Sequence, residues 1–424
     1  MSILATRLIA KRAFAKTTAA SRAFSTWGEV PLGPADPIFG LTQAFQEDTD
    51  PRKVSVGAGA YRGEDGLPYV LPSVREAERR ILEENLNHEY LAISGLNTFV
   101  DSSLKFLYGG DMAPLKEGRI AASQALSGTG ALCLAGHFLS KFKPGAPIYM
   151  PDPTWGNHHN IFRETGVEGK MYRYLDRANQ SLDYSGMCED LKSAPRGSAV
   201  LLHACAHNPT GVDLNQEQWK ELSGVFKERD LIPVFDTAYQ GFATGDAEAD
   251  AFSVRHFAEE GHACIATQSF SKNFGLYGER AGCLSFITSS AEEKSAVESQ
   301  IKILVRPMYS NPPATGARIV STILNDEALS AQWYAECKSM ADRIGNARTA
   351  LRGHLEKGST RNWEHITSQI GMFAYTGLTE EECMKMINDH HVYLTKDGRV
   401  SMAGVTQNNA QYIAEAMCTV TGGV

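Results

Sequence analysis

The sequence lacks two features that would assign it to common classes of protein. No apolar run approaches the roughly 18 residues needed to cross a membrane, although 43% of the 424 residues are hydrophobic. None of the eight cysteines belongs to a CxxC pair, so the sequence predicts neither a zinc site nor a disulfide framework. Scattered cysteines are typical of reduced thiols in a reducing compartment. We therefore expect no metal site.

Acidic residues are missing from the first 28 positions. This segment carries five cations, at Arg7, Lys11, Arg12, Lys16 and Arg22, among serine, threonine and alanine. Its charges interrupt the unbroken apolar core that a secretory signal needs. The pattern is typical of a mitochondrial transit peptide, predicted here as residues 1–24, and it indicates the mitochondrial matrix. A disordered basic tail is the alternative.

Negative charge dominates the rest of the chain. The formal net charge is −8, and without the five leader cations it becomes −13. An acidic body argues against nucleic-acid binding as a main function. A lipid-binding protein at a membrane surface is a further class of function, but it would need a basic surface with apolar patches. Sedimentation with anionic vesicles would distinguish a lipid-binding protein from an enzyme.

Four short apolar runs end abruptly in polar or glycine-rich segments. Such runs indicate strands buried on both faces, and helical patterns such as residues 214–230 lie between them. This alternation predicts a mostly parallel α/β sheet, in which binding residues follow the carboxyl ends of strands. The runs are PIYM (147–150) before PDPTWGNHH, AVLLHACA (199–206) before HNPTG, LIPVF (231–235) before DTAYQGF, and CIATQ (264–268) before SFSKNFG.

The C-terminal part of the chain has a different pattern. Residues 326–357 carry apolar side chains at helical spacing and predict one long amphipathic helix. Shorter elements follow, including a helical segment around 380–390. We therefore expect a smaller α+β domain at this end.

Two glycine-rich segments raise the question of a phosphate site. SGTGA (127–131) precedes a helical pattern, and hydroxyls with amides at a helix N-terminus can bind an anion. The same sequence also suits a plain helix cap. GAGAYRG (57–63) spaces its glycines as GxGxxxG with no obvious helix after them, so we reject a dinucleotide-binding fingerprint.

A lysine and an arginine lie close together after the last predicted strand. Lys272 could be a surface residue, a phosphate ligand or a Schiff-base nucleophile. The last role is chemically reasonable because desolvation and nearby cations lower the pKa of a lysine. Arg280 would lower that pKa and could bind a phosphate. Asp236 ends another predicted strand, and a buried carboxylate there needs a cationic partner, such as a protonated pyridine nitrogen. Tyr239 adds a phenol.

Taken together and in this order, the motifs resemble those of the class I pyridoxal-phosphate-dependent aminotransferases, and within them the aspartate aminotransferases of the mitochondrial type. The resemblance covers roughly residues 28–424. It implies fold type I of the pyridoxal-phosphate-dependent transferases, an α/β large domain with a smaller α+β domain. The implied boundaries are 25–67 for an N-terminal arm with part of the small domain, 68–338 for the large cofactor-binding domain and 339–424 for the small domain. The motifs are GPADPIFGLTQAF, VGAGAY, SGTGA, PTWGNH, HNPTG, DTAYQGF, QSFSKNFGLYGERAG, RPMYSNPP and GRVSMAG.

The resemblance implies pyridoxal 5'-phosphate as cofactor and a role for each residue around it. Lys272 resembles the Schiff-base lysine, and Asp236 the carboxylate that keeps the pyridine nitrogen protonated. His158 resembles the partner of that carboxylate. The implied ring contacts are Trp155, stacked on the ring face, with Tyr239 and Asn208 as donors to its phenolic oxygen. The implied phosphate ligands are Ser127, Gly128, Thr129, Ser269 and Arg280, with Tyr90 reaching in from a partner subunit.

Two arginines imply the class of substrate. Arg399 resembles the arginine that binds the α-carboxylate bidentately, and Arg306 the one that crosses from the partner subunit to a distal carboxylate. The Gly59 amide, Trp155 and Asn208 would also contact substrate. The implied reaction is reversible amino transfer from L-aspartate to 2-oxoglutarate, giving oxaloacetate and L-glutamate by a ping-pong route through pyridoxamine phosphate. The implied enzyme is a homodimer with shared active sites.

Two other enzyme functions stay open at this point. A decarboxylase or lyase would use the same cofactor and the same lysine. An aminotransferase of broader specificity would accept aromatic amino acids or kynurenine. The pair Arg306 and Arg399 favours transamination of a dicarboxylate.

His203 lies within a predicted strand. We expect its ring to be hydrogen-bonded inside the fold and to have an indirect task at most.

Overall fold

The structure is a computed structural model that describes residues 27–33, 37–57 and 59–423. The predicted transit peptide, residues 1–24, lies outside the described residues. The chain separates into two units, Met1–Gly40 and Leu41–Val424, and the candidate site belongs to the second. Across the described ranges, no helix combines the length and the apolar composition that a membrane span requires.

Helices and strands alternate along most of the second unit. The strands are β1 (Val54–Ser55), β2 (Ile120–Leu126), β3 (Ile148–Asp152), β4 (Gly169–Arg173), β5 (Leu175–Asp176), β6 (Ser181–Leu182), β7 (Ala199–His203), β8 (Ile232–Thr237), β9 (Ile265–Ser269), β10 (Ala281–Ile287), β11 (Phe373–Tyr375), β12 (Val392–Tyr393) and β13 (Arg399–Ser401). The helices are α1 (Pro37–Glu47), α2 (Pro72–Glu83), α3 (Asn97–Tyr108), α4 (Ala113–Lys116), α5 (Ser127–Phe142), α6 (Asn157–Glu164), α7 (Tyr184–Ser193), α8 (Gln216–Arg229), α9 (Ala247–Asp250), α10 (Phe252–Glu259), α11 (Ala291–Tyr309), α12 (Thr315–Asn325), α13 (Glu327–Gly358), α14 (His365–Ser368), α15 (Glu380–His390) and α16 (Ala410–Val420). A 3-10 helix covers Met402–Gly404.

A seven-stranded sheet forms the centre of this unit, in the order β2-β10-β9-β8-β7-β3-β4. The strands from β9 to β4 run parallel to their neighbours. Only β10 is antiparallel, and it is so to both β2 and β9. The predicted mostly parallel α/β sheet is therefore confirmed.

Helices cover both faces of the sheet, which explains why its strands are apolar without alternation. On β7, Ala199 and Leu201 face a core cluster that includes residues of α5, α6 and α11. Val200 and Leu202 face the larger cluster, which includes residues of α8, α10 and α12. Both sets of side chains are buried, so neither face of β7 needs polar residues.

The two long helices predicted from the sequence are present. α8 begins with a capping box, in which the Asn215 side chain accepts from the Gln218 amide and Gln218 binds back to the Asn215 amide. α13 spans Glu327–Gly358, one residue later than predicted at each end, and Asp326 caps it by accepting from the Leu329 amide at 2.8 Å. The predicted apolar stripe of α13 is buried along its length.

Residues from both ends of the second unit pair in a smaller region. β1 runs parallel to β12, and β11 runs antiparallel to β13. α16 packs along α13, and α15 packs against α16. This mixture agrees with the expected α+β composition, while the boundaries 25–67, 68–338 and 339–424 stay predictions.

Candidate active site

Four neighbouring strands bring polar residues to one edge of the sheet. Lys272 follows β9, Asp236 lies near the end of β8, Asn208 follows β7 and Trp155 follows β3. These strands are consecutive in the sheet, and they are parallel, so their carboxyl ends share an edge. The sheet topology therefore groups side chains that are more than a hundred positions apart in the sequence.

The loop that carries Asn208 begins earlier than predicted. β7 ends at His203, whereas the apolar run extends to Ala206. Ala206 has a positive φ of 49°, and the amides of Ala206 and His207 donate to the Asp213 carboxylate at 2.6 and 2.8 Å. These bonds replace strand pairing and turn the chain out of the sheet before Asn208.

A chain of hydrogen bonds holds the Asp236 carboxylate. His203 Nδ1 accepts from the Asn208 amide at 3.3 Å, so a neutral His203 ring carries its proton on Nε2 and donates to Thr154 Oγ1 at 3.3 Å. Thr154 then donates to His158 Nδ1 at 2.8 Å, and His158 Nε2 donates to Asp236 Oδ2 at 3.1 Å. Burial lowers the pKa of His203 to about 3, which keeps that ring neutral, in agreement with its expected indirect role.

Asp236 is buried and yet favoured as an anion. Burial alone would raise its pKa, but the hydrogen bond that His158 donates, together with the nearby charge of Lys272, outweighs that effect. The pKa of Asp236 therefore lies below its usual value. A buried, ionised carboxylate at this edge suits a cationic ligand group.

Lys272 is a mostly buried amine beside the Tyr239 ring. Its pKa is lowered, first by burial and then by the Arg280 charge, while Asp236 acts in the opposite direction. The Lys272 Nζ lies 5.7 Å from the centre of the Tyr239 ring, and burial raises the pKa of Tyr239 well above its usual value. A lowered pKa increases the fraction of neutral amine, which is the form that attacks a carbonyl.

Arg280 and three serines form a polar cluster beside the lysine. Ser127 Oγ lies 2.9 Å from Ser269 Oγ and 2.8 Å from Ser271 Oγ. Arg280 donates to Ser271 Oγ at 3.5 Å and to the Tyr277 carbonyl at 2.9 Å. Burial lowers the pKa of Arg280, with no carboxylate of the described residues opposing it. A cation without a counter-ion, next to hydroxyl groups, is a suitable anion site.

The first turn of α5 completes this cluster. The helix begins at Ser127 itself, so Ser127, Gly128 and Thr129 form its first turn instead of a loop before it. Their amides have no partner inside the helix. A Cβ atom on Gly282 would lie 2.5 Å from the carbonyl carbon of Ser127, so glycine is required where β10 passes this turn.

Arg399 forms a second cationic group at the same edge. It is 6% exposed, and it donates to the Gly57 carbonyl at 3.2 Å and to Asn208 Oδ1 at 3.4 Å. Its guanidinium lies 4.3 Å above the Phe373 ring, and burial lowers its pKa. Its Nε has no partner, and in the described part of the chain no carboxylate forms an ion pair with it. A Cβ on Gly59 would lie 3.6 Å from Phe373 Cζ, so Gly59 lies near the same ring.

Two predicted site residues lie elsewhere on this chain. Tyr90 is 81% exposed. Arg306 lies near the end of α11 and donates to Ser310 Oγ at 2.8 Å, also at the surface. Among the described residues, no hydrogen bond or ion pair connects either of them to Lys272 or Arg399. Their assignment to the site of a second subunit stays a prediction.

Three residues of the cluster were not predicted. Thr154 links two histidines, Ser271 binds Ser127 and Arg280, and Phe373 supports Arg399. Ser271 precedes Lys272 directly, and its hydroxyl was a usable signal. Phe373 had none, because its contact with Arg399 depends on the pairing of β11 with β13.

Comparison with known proteins shows which family the chain resembles. The family model for aminotransferases of class I and II matches residues 51–417. The mitochondrial aspartate aminotransferase of Dictyostelium discoideum is 50% identical, with 94% of this chain and 95% of the relative covered. The one from Gallus gallus is 49% identical, with 99% and 100% covered.

Solved structures show the same fold. An aromatic-amino-acid aminotransferase from Burkholderia pseudomallei, covalently bound to pyridoxal phosphate, has a TM-score of 0.92 at 41% identity, covering 94% of this chain and 100% of its own. An aspartate aminotransferase from the cytoplasm of Saccharomyces cerevisiae has a TM-score of 0.92 at 42% identity, covering 94% and 98%.

Proposed function

Because the chain belongs to the class I and II aminotransferases, we propose that it transfers the amino group of L-aspartate reversibly to 2-oxoglutarate, giving oxaloacetate and L-glutamate. Its cofactor is pyridoxal 5'-phosphate. One observation carries the proposal most directly: Arg399, a buried guanidinium that no carboxylate of the described residues pairs with, lies at the sheet edge that also presents Lys272 and Asp236. The mitochondrial relatives at about half identity support the choice of aspartate.

The residues at this edge fit the cofactor in charge and shape. The cluster around Arg280 offers an anion site for its phosphate, and the ionised Asp236 suits a protonated pyridine nitrogen. When bound, the cofactor withdraws electrons from the substrate Cα and makes the Cα proton acidic. The proposed ligands are Lys272 for the aldehyde carbon, Ser127, Gly128, Thr129, Ser269 and Arg280 for the phosphate, Trp155 for the ring face, and Asn208 with Tyr239 for the phenolic oxygen.

The protein's own groups then position substrate and move the proton. Arg399, whose Nε has no partner among the described residues, holds the α-carboxylate of the amino acid. The Nζ of Lys272 takes the proton from the substrate Cα, which its lowered pKa favours. Asp236 stays ionised through the hydrogen bond from His158. The same groups serve both half-reactions, since amino acid and oxo acid both carry the carboxylate that Arg399 binds. The two substrates therefore react one after the other, in ping-pong order.

We further propose that Arg306 and Tyr90 complete the site of a second copy of this chain. Arg306 would bind the distal carboxylate and Tyr90 the cofactor phosphate, and both side chains are exposed here. Mixing inactive Lys272→Ala chains with inactive Arg306→Asp chains should restore up to about one working site per mixed dimer. No recovery, with mixed dimers confirmed by mass, would contradict the shared site.

The relatives are named mitochondrial, and we propose the mitochondrial matrix as the location. Residues 1–24 would be the transit peptide, followed by an arm with part of the small domain (25–67), a large domain (68–338) and a small domain (339–424). Fusion of residues 1–24 to a fluorescent protein should direct it to the matrix. A fusion that stays outside mitochondria would contradict this location.

The function is tested with purified holoenzyme and 2-oxoglutarate as acceptor. Aspartate is compared with phenylalanine and kynurenine as donors, and release of CO2 is followed in parallel while malate dehydrogenase and NADH reduce the oxaloacetate as it forms, because this β-oxo acid loses CO2 spontaneously. We expect the largest kcat/KM for aspartate and no CO2. The likeness to an aromatic-amino-acid aminotransferase favours broader specificity as the second candidate, and an equal or larger kcat/KM for phenylalanine would establish it. CO2 release in step with aspartate consumption would indicate a decarboxylase.

A further inference from the structure

Arg348 is a buried guanidinium whose partners are all carbonyl oxygens. It lies on α13, is 3% exposed, and donates to Ile366 at 2.8 Å, to Gly371 at 2.9 Å and to Phe373. Burial lowers its pKa to about 9, and no carboxylate of the described residues opposes that effect. The side chain is therefore charged at neutral pH. A buried charge without a counter-ion is costly unless well-placed hydrogen bonds compensate it, so the three carbonyl groups are held firmly.

These carbonyl groups belong to a segment, residues 366–373, that is pressed against the Asn208 loop. The Ile370 amide donates to the Gly211 carbonyl at 2.7 Å. Gly211 has a φ of +68°, and a Cβ atom there would lie 2.8 Å from the carbonyl oxygens of both Ile370 and Phe373. A Cβ on Gly371 would overlap the Cβ of Ala206. The segment is thus confined between that loop on one side and Arg348 on the other.

Phe373 connects this segment to the carboxylate-binding arginine. It is the first residue of β11, which pairs with β13 so that Tyr375 lies opposite Arg399. The backbone carbonyl of Phe373 accepts from Arg348, while its ring lies 4.3 Å beneath the Arg399 guanidinium. One residue therefore contacts a different buried arginine at each end. A shift of its backbone would move the ring and change the angle at which Arg399 meets substrate.

We propose that Arg348 is a positioning residue for the α-carboxylate site, because it fixes the backbone of Phe373 and so sets the position of the ring under Arg399. This inference rests on the proposed function of Arg399. Arg348 touches neither substrate nor cofactor. Its effect is therefore on binding geometry, which a residue that only stabilises the fold would not alter.

The test compares Arg348→Met with a matched control on the same helix, both as holoenzyme. Arg352 lies one turn further along α13 and donates to Thr367 Oγ1 at 2.6 Å in the same segment, without touching Gly371 or Phe373. We expect Arg348→Met to raise the KM for aspartate about tenfold with kcat changed less than about threefold, since uniform binding is lost. Arg352→Met should change both constants less than about twofold. An unchanged KM in Arg348→Met overturns the inference.

A double-variant cycle asks whether Arg348 acts through the ring. Phe373→Leu removes the ring and keeps the carbonyl. If the ring transmits the effect, the double variant has about the same KM as Phe373→Leu alone. If the two residues act independently, the two increases in KM multiply in the double variant. Multiplied effects overturn the inference. Should Arg348→Met fail to fold, Arg348→Lys takes its place, since lysine keeps the charge and lacks the planar fork. Wild-type turnover of aspartate is read separately, so failure of the proposed function is distinguishable from failure of this inference.

Discussion

Replacement of Arg399 by lysine tests the proposed α-carboxylate site with the charge retained. Arg399 contacts the Gly57 carbonyl, the Asn208 side chain and the Phe373 ring. These contacts take one N–H of each terminal nitrogen and leave Nε without a partner among the described residues. A lysine ammonium is a point charge on a flexible stem and has no planar fork. It can still attract a carboxylate, but it cannot rest on the ring and donate two parallel hydrogen bonds.

The contacts in the structure set the size of the expected effect. The ring contact orients the guanidinium before substrate binds, and the hydrogen bonds to the carboxylate form only when substrate binds. The binding step loses one of two charge-assisted hydrogen bonds, worth about 1.5–3 kcal/mol. That range corresponds to a fall in kcat/KM for aspartate of about 10- to 150-fold. Aspartate and the oxo acid 2-oxoglutarate should be affected alike, because both carry the carboxylate.

Initial rates of oxaloacetate formation over a range of aspartate concentrations measure this fall. Arg361→Lys is the matched control, since the Arg361 guanidinium lies 4.9 Å over the Trp363 ring and donates to the Gly377 carbonyl at 2.9 Å, outside the site. We expect its kcat/KM to stay within about twofold of the wild type. A loss under threefold in Arg399→Lys, or equal losses in both variants, would refute the assignment of Arg399.

Three further outcomes follow from the same geometry. Lys272→Ala should lower turnover by several orders of magnitude and remove the pH-sensitive visible absorbance of a lysine-linked cofactor, and a retained band would contradict the role of Lys272. Arg306→Asp should lower kcat/KM for aspartate by about 100-fold or more and that for alanine far less, and equal losses would contradict a distal-carboxylate role. Burial lowers the pKa of His262 from its usual 6.5 to about 4, so the stability that neutral His262 contributes is present above pH 6.5 and is lost as the pH falls towards 4. The free energy of unfolding, measured by urea denaturation across that window, should depend less steeply on pH in His262→Asn than in the wild type. An equal slope in the two proteins would contradict this contribution of His262.

The sequence predicts the sheet and the residues at its carboxyl edge because both depend on local pattern. Each of the four apolar runs forms a strand of the central sheet, within a few residues of its predicted bounds. Parallel strands place their carboxyl ends together, so the sequence pattern alone groups Lys272, Asp236, Asn208 and Trp155. The early end of β7 is the exception, because it depends on the bonds from the Ala206 and His207 amides to Asp213.

The arginine sites depend on packing between segments far apart in the chain, and local pattern does not encode them. Arg399 is placed by β13, by Gly57 and by Phe373. Arg348 was part of a predicted amphipathic helix, where an arginine is ordinarily expected on the exposed face. Its burial follows from the carbonyl groups of residues 366–373, which the helical period cannot reveal.

Helix α13 contacts both the segment that follows Lys272 and the segment that supports Arg399. Near its start, Trp333 donates from Nε1 to the carbonyl of Asn273 at 3.0 Å and stacks on Phe274 at 4.4 Å, which fixes the backbone just after Lys272. Four turns later, Arg348 fixes the backbone of Phe373 under Arg399. A continuous helix is far stiffer than the loops it contacts. Since the base and the carboxylate-binding arginine act on neighbouring atoms of one small substrate, their separation must be held closely, and contacts from a single helix to both sides achieve this without a direct link between them.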